Sequence, residues 1–146
     1  MNSPISFDAA LQAEQAAERA ALQQRVVQAL GRVLPPDCIL YTPEDTVPYE
    51  CDGLTAYRER PLVVALPETE AQVQAVLKAC HQLQVPVVAR GAGTGLSGGA
   101  MPHRLGVTLS MARFNQIKAV DPVSRTAVVQ CGVRNLAISE AAAPYG

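Results

Sequence analysis

The chain has 146 residues, enough for one ordinary domain, and its 49% apolar content lets it bury a core, which excludes a disordered tail. Twelve basic against thirteen acidic side chains leave a net charge of −1, so no basic field exists to hold a nucleic-acid backbone. With 4% aromatics and no Trp, base-stacking platforms are excluded as well.

Residues 8–34 read as a long helix, with Asp8 as its cap and Pro35-Pro36 as its stop. Leu22, Val26, Ala29, Leu30 and Val33 fall at helical spacing and form one apolar stripe. Between Asp8 and Ala21 the only large apolar side chain is Leu11, so that stretch is expected to be loosely held and its charged face solvated. Residues 1–41 are read as a helical extension, ahead of a domain spanning 42–146.

A turn-rich stretch follows (Pro43, Asp45, Pro48, Asp52-Gly53), and then Leu62–Leu66 reads as a buried strand ended by Pro67. Thr69-Glu70-Ala71-Gln72 has the spacing of a capping box. Val73, Val76, Leu77, Cys80 and Leu83 continue it as an amphipathic helix, and Pro86–Ala89 supplies the next strand. Together these make a right-handed βαβ unit with two parallel strands. Past a glycine-rich stretch the period becomes two: Gly106–Met111, Ile117–Val120 and Thr126–Gln130 read as short strands, with Asp121-Pro122 turning between the last two. Asn135–Ala143 starts another helix. The expected class is α/β in the first half, passing to α+β.

No run is long enough to span a bilayer, and no secretion signal begins the chain. Cys38, Cys51, Cys80 and Cys131 lack the spacing of a disulfide framework or zinc site, and are read as buried free thiols in a reduced cytoplasm. Cys80 and His81 are helix neighbours about 100° apart, which argues against a catalytic pair.

One segment carries chemistry. Arg90-Gly91-Ala92-Gly93-Thr94-Gly95-Leu96-Ser97-Gly98-Gly99 holds five of the ten glycines, directly after a strand read as buried. Without Cβ atoms such a loop can turn successive N–H groups onto one point, an anion-binding concavity for phosphate. Thr94 and Ser97 could add hydroxyl donors, and Arg90 a positive charge at the rim. Walker A fails, since Gly99 stands where Lys is required. Gly93-x-Gly95-x-x-Gly98 matches the dinucleotide fingerprint, but that motif needs a helix to start there, and a period-two run follows instead. The residues alone leave three readings open: a ligand-free turn, a non-Rossmann phosphate loop, and an NAD-dependent Rossmann site.

The segment Pro86–Ala100 resembles the diphosphate loop of the vanillyl-alcohol-oxidase-type (p-cresol-methylhydroxylase-type) FAD-binding domain. Within that family it is most similar to the flavoprotein subunits of glycolate oxidases and to D-lactate dehydrogenases. Tyr49–Leu54, Leu66–Thr69, Met111–Phe114 and Gly132–Leu136 resemble the same proteins in the same order, so the likeness covers Thr42 to Pro144. Cys131 stands where a Pro is expected.

The resemblance implies a small parallel sheet flanked by helices, then the start of an antiparallel sheet, with the FAD diphosphate on Gly91–Gly99. It implies flavin-dependent oxidation of a 2-hydroxy acid, glycolate or D-lactate, with an iron–sulfur subunit and a second flavin-type subunit as partners. A cytoplasmic place, peripheral to the inner membrane through those partners, goes with it. In the family a second flavin-binding segment and a substrate domain follow this point, so the chain reads as an N-terminal fragment that binds FAD weakly and has no catalytic residue. Its alternative is a truncated chain without useful flavin binding. Arg113, Arg134, His103 and Tyr57 are read as surface or packing residues, and nothing in the sequence places Glu50 or Asp52 at a reacting centre.

Overall fold

A computed structural model describes residues 7–146, with side chains from residue 9 onward. Helix α1 (Phe7–Leu30) places Val26 and Leu30 one turn apart, both fully buried, while Leu11 near its start is exposed. It ends four residues earlier than its sequence suggests. After Gly31 the chain tightens, and the N–H groups of Val33 and Leu34 both donate to the Leu30 carbonyl at 2.9 Å. Leu34 still completes the buried stripe. Asp8 falls inside the first turn rather than before it, and its side chain lies outside the described residues.

Strand β1 (Ile39–Leu40) leads into a short helix, α2 (Pro43–Thr46), capped by the Thr42 hydroxyl accepting from the Asp45 N–H at 3.3 Å. Strand β2 (Val63–Ala65) lies within a fully buried run, 61–67. Helix α3 (Glu70–Leu83) starts as its sequence predicts. The Thr69 hydroxyl accepts from the Gln72 N–H at 3.2 Å, and the Gln72 side chain accepts from the Glu68 N–H at 2.7 Å.

Two strands complete the sheet, β3 (Val87–Arg90) and β4 (Val107–Ser110), in the order β1-β2-β4-β3. β2, β4 and β3 run parallel, and β1 pairs antiparallel with β2. The two strands of the βαβ unit are parallel as expected, with β4 between them, so β4 belongs to this first sheet. Being flanked on both sides is why every residue of β4 is buried. The strand before the glycine loop is correspondingly an edge strand, half-buried at Val87, Val88 and Arg90 and exposed at Ala89.

α1 and α3 pack together, α1 also against β2, and Val26, Leu30, Leu34, Val64, Val76, Cys80 and Leu109 share one core with the sheet. Truncating Leu30 to Ala in such a setting costs about 2–5 kcal/mol. Strands β5 (Ile117–Asp121) and β6 (Thr126–Val129) form a separate antiparallel pair, and α4 (Asn135–Ala142) follows. The turn of this hairpin closes on the Asp121 carboxylate, which accepts from the N–H groups of Val123 (2.9 Å) and Ser124 (3.2 Å) and from the Ser124 hydroxyl.

Candidate functional site

The segment between β3 and β4 contains no helix. That strand–loop–strand course overturns the NAD-dependent Rossmann reading, because Gly93-x-Gly95-x-x-Gly98 has no helix N-terminus to offer a pyrophosphate. The main-chain N–H groups of residues 91–100 donate to no acceptor among the described residues. The loop itself is mostly exposed, with Gly93, Gly98 and Ala100 half-buried. Gly93 has φ +73° and Gly98 φ +76°, the left-handed region that a Cβ disfavours, while the Cβ positions of Gly91, Gly95 and Gly99 face open space.

Arg90, read as a positive charge at the rim, has partners of its own. Its guanidinium donates to the Cys51 carbonyl at 2.7 Å and stacks over the Tyr49 ring, 5.5 Å from the centroid. Residues 49–53 thereby form a strap beside the loop. A Cβ at Gly53 would lie 2.7 Å from the Thr94 carbonyl oxygen, so only glycine permits this approach. Asp52 is buried in the strap; one carboxylate oxygen accepts from the Leu54 N–H at 2.9 Å and the other has no partner among the described residues.

Gly91 and Ala92 open onto a hollow of about 670 Å³, whose other walls are Met111, Ala112, Asn115, residues 131–135 and Ala137. Gly93 to Gly99 lie outside that lining. Helix α4 begins at this hollow: Arg134 occupies its cap position without a side-chain cap, and the N–H groups of Asn135 and Leu136 have no acceptor among the described residues. Gly91 and Ala92 of the loop and Asn135 at the helix start thus line one space, and unbonded amides at both places favour negative charge.

The walls 111–115 and 131–135 carry family-like blocks to which sequence reasoning gave no role in the site. One signal was present: Gly132. Its N–H donates to the Phe114 carbonyl at 2.8 Å, and a Cβ there would overlap the Met111 carbonyl oxygen. Arg113 fixes the same wall from behind, donating to Asp37 (2.9 Å), Glu68 (2.7 Å) and the Cys38 sulfur (3.1 Å). Those bonds, to Glu68 first and then Asp37, hold Arg113 still more firmly protonated. Its packing reading stands, whereas Arg134 lines the hollow. His103 accepts from the Leu105 N–H at 3.1 Å in its own turn, and Tyr57 is exposed.

The thiols divide. Cys38 and Cys80 are buried as expected, and burial raises both, Cys80 to about 11. Cys51 is half-buried, and Cys131 is exposed on the wall of the hollow, which corrects the expectation for those two.

Residues 61–146 match the family model of the FAD binding domain. The chain belongs to that FAD-binding family. Glycolate oxidase subunit GlcD of Escherichia coli strain K12 is 60% identical to it over 120 residues, 82% of this chain and 24% of that protein. D-lactate dehydrogenase of Archaeoglobus fulgidus is 38% identical over 84 residues, 58% of this chain and 19% of the relative. A solved structure of p-cresol methylhydroxylase with substrate bound superposes with a TM-score of 0.75 at 26% identity, covering 85% of this chain and 25% of that one. The chain thus spans about a quarter of the length of the curated relatives it matches. The FAD-binding fold has the implied form, a mainly parallel sheet with helices followed by an antiparallel pair. Among the described residues no helix is long and apolar enough to cross a membrane.

Proposed function

We propose that this chain is the FAD-diphosphate-binding part of a flavin-dependent oxidoreductase acting on a small 2-hydroxy acid, glycolate or D-lactate. The observation that carries this reading is the unbonded run of main-chain N–H groups at 91–100, opening onto the hollow at Gly91 and Ala92. Neutral amides with open space at Gly91, Gly95 and Gly99 suit a diphosphate, whose oxygens need several donors at close range. On this reading residues 90–99 make up the loop segment. The N–H groups of 91–99 bind, Thr94 and Ser97 add hydroxyls, and the start of α4 adds a positive dipole at the hollow that Gly91 and Ala92 line.

Bound FAD supplies a two-electron acceptor for the hydride equivalent on the carbon that bears the hydroxyl. This chain's residues bind and orient the cofactor's phosphates and wall off one side of them. The substrate class is supported by the relatives named glycolate oxidase subunit GlcD, 60% identical, and D-lactate dehydrogenase, 38% identical. The E. coli relative is named as a subunit, which supports a multi-subunit enzyme; an iron–sulfur subunit and a second flavin-type subunit are the proposed partners, and the cytoplasm the proposed place. Residues 42–146 form the first part of the flavin domain, with 1–41 as a helical extension.

The test is flavin retention. The purified protein is mixed with FAD and passed through gel filtration, and the flavin absorbance of the protein peak is read. Flavin co-eluting with the wild type and lost in Gly95→Val supports the reading. A colourless wild type at saturating FAD favours the truncated chain without useful flavin binding.

A further inference from the structure

Resting on that diphosphate reading, we infer that Arg90 is a positioning residue and not a phosphate ligand: with Tyr49 it locks the 49–53 strap against the loop, fixing the loop before any cofactor arrives. Three contacts enclose its guanidinium. It donates in its own plane to the Cys51 carbonyl at 2.7 Å. Its carbon stands 5.5 Å from the Tyr49 ring centroid. Gly93 lies so close over the same group that a Cβ there would overlap a guanidinium nitrogen. A planar guanidinium can donate at its edge while stacking through its face, which a lysine ammonium cannot reproduce.

The strap meets the loop a second time at its middle, where a Cβ at Gly53 would lie 2.7 Å from the Thr94 and 2.9 Å from the Gly95 carbonyl oxygens. These contacts matter because the amides of 91–100 donate to no acceptor among the described residues and do not hold the loop's shape themselves. The strap has its own anchors: the Leu54 N–H on buried Asp52 at 2.9 Å, and the Glu59 N–H on the Glu50 carbonyl at 2.8 Å. A loop shaped in advance loses less freedom when it takes up a ligand, so the clamp raises affinity without touching the ligand.

The experiment is an NMR titration of the ¹⁵N-labelled protein with FAD, for wild type, Tyr49→Leu, Arg90→Met, Arg90→Lys and the Tyr49→Leu/Arg90→Met double variant. In free wild type the Arg90 Nε–H signal is expected upfield under the ring, returning to its ordinary position in Tyr49→Leu. On adding FAD, the 91–99 amides are expected to move and the Arg90 Nε–H to stay. Each single variant should weaken FAD binding about tenfold, and the double variant no further, because the two side chains act as one unit.

An Arg90 Nε–H that moves saturably with FAD overturns the proposal. So does an Arg90→Lys variant of wild-type affinity, or a Tyr49→Leu variant that keeps wild-type affinity while Arg90→Met loses it. If FAD moves no 91–99 amide in wild type, the diphosphate reading fails on its own. The upfield Arg90 signal then decides the clamp: its loss in Tyr49→Leu upholds the contact, and its absence from wild type refutes it.

Discussion

Gly132 presses its α-carbon against the carbonyl of Met111, closer than any side chain would allow, and so joins the two walls of the hollow. Gly132→Ala is therefore expected to push residues 131–135 away from 111–114 at a cost of about 1–3 kcal/mol, as for other overpacked contacts. Urea denaturation measures that cost. Unchanged stability would show that the walls separate freely.

Gly93 and Gly95 differ in a way that separates folding from binding. A Cβ at Gly95 meets nothing, whereas at Gly93 it meets the Arg90 side chain and a positive φ as well. Gly95→Val should stay within about 0.5 kcal/mol of wild-type stability and still lose its flavin. Gly93→Val should lose both. Thermal melts beside flavin absorbance test the pair, and a Gly95→Val protein holding stoichiometric FAD would remove the loop from the site.

The four thiols predict an order of reaction. Cys131 is exposed on the hollow, Cys51 half-buried, and Cys38 and Cys80 buried with raised pKa values. Since the thiolate is the reactive form, a maleimide at neutral pH should modify Cys131 first. Saturating FAD should slow that step, as mass spectrometry of the labelled peptide would report. Labelling of Cys131 at the same rate with and without FAD would mean that the cofactor lies elsewhere.

The β5–β6 hairpin carries a pH dependence of known sign. Hydrogen bonds from Ser124, then from the Val123 N–H, hold the Asp121 carboxyl below its ordinary value of 3.8. A carboxyl lowered in the folded state supports its turn above the unfolded value and loses that support as pH falls through the folded one. Chemical shifts of Val123 and Ser124 should therefore change at a pH below 3.8. In Asp121→Ala that titration should vanish, and the hairpin amides should exchange faster at neutral pH.

Much of this was legible in the residues. The α3 cap was readable because Thr69 and Gln72 act on backbone within one turn, and the helix-free course after β3 because a period-two run follows the glycines. The position of β4 was not, since Gly106–Met111 has the same local pattern whether its partners run parallel or antiparallel. Sheet order comes from contacts distant in sequence. The partners of Arg90 were hidden for the same reason: Tyr49 and Cys51 lie some forty residues away. Gly132 was visible, but its meaning depends on a carbonyl that only the folded chain supplies.

With Arg90 turned toward the strap, the proposed grip of residues 91–99 on a diphosphate rests on peptide dipoles and not on formal charge. Mobile ions screen the attraction between exposed charges but compete poorly with short contacts to oriented amides. A holoprotein built on this loop should therefore keep its yellow colour through a high-salt wash that would strip a ligand held by lysines.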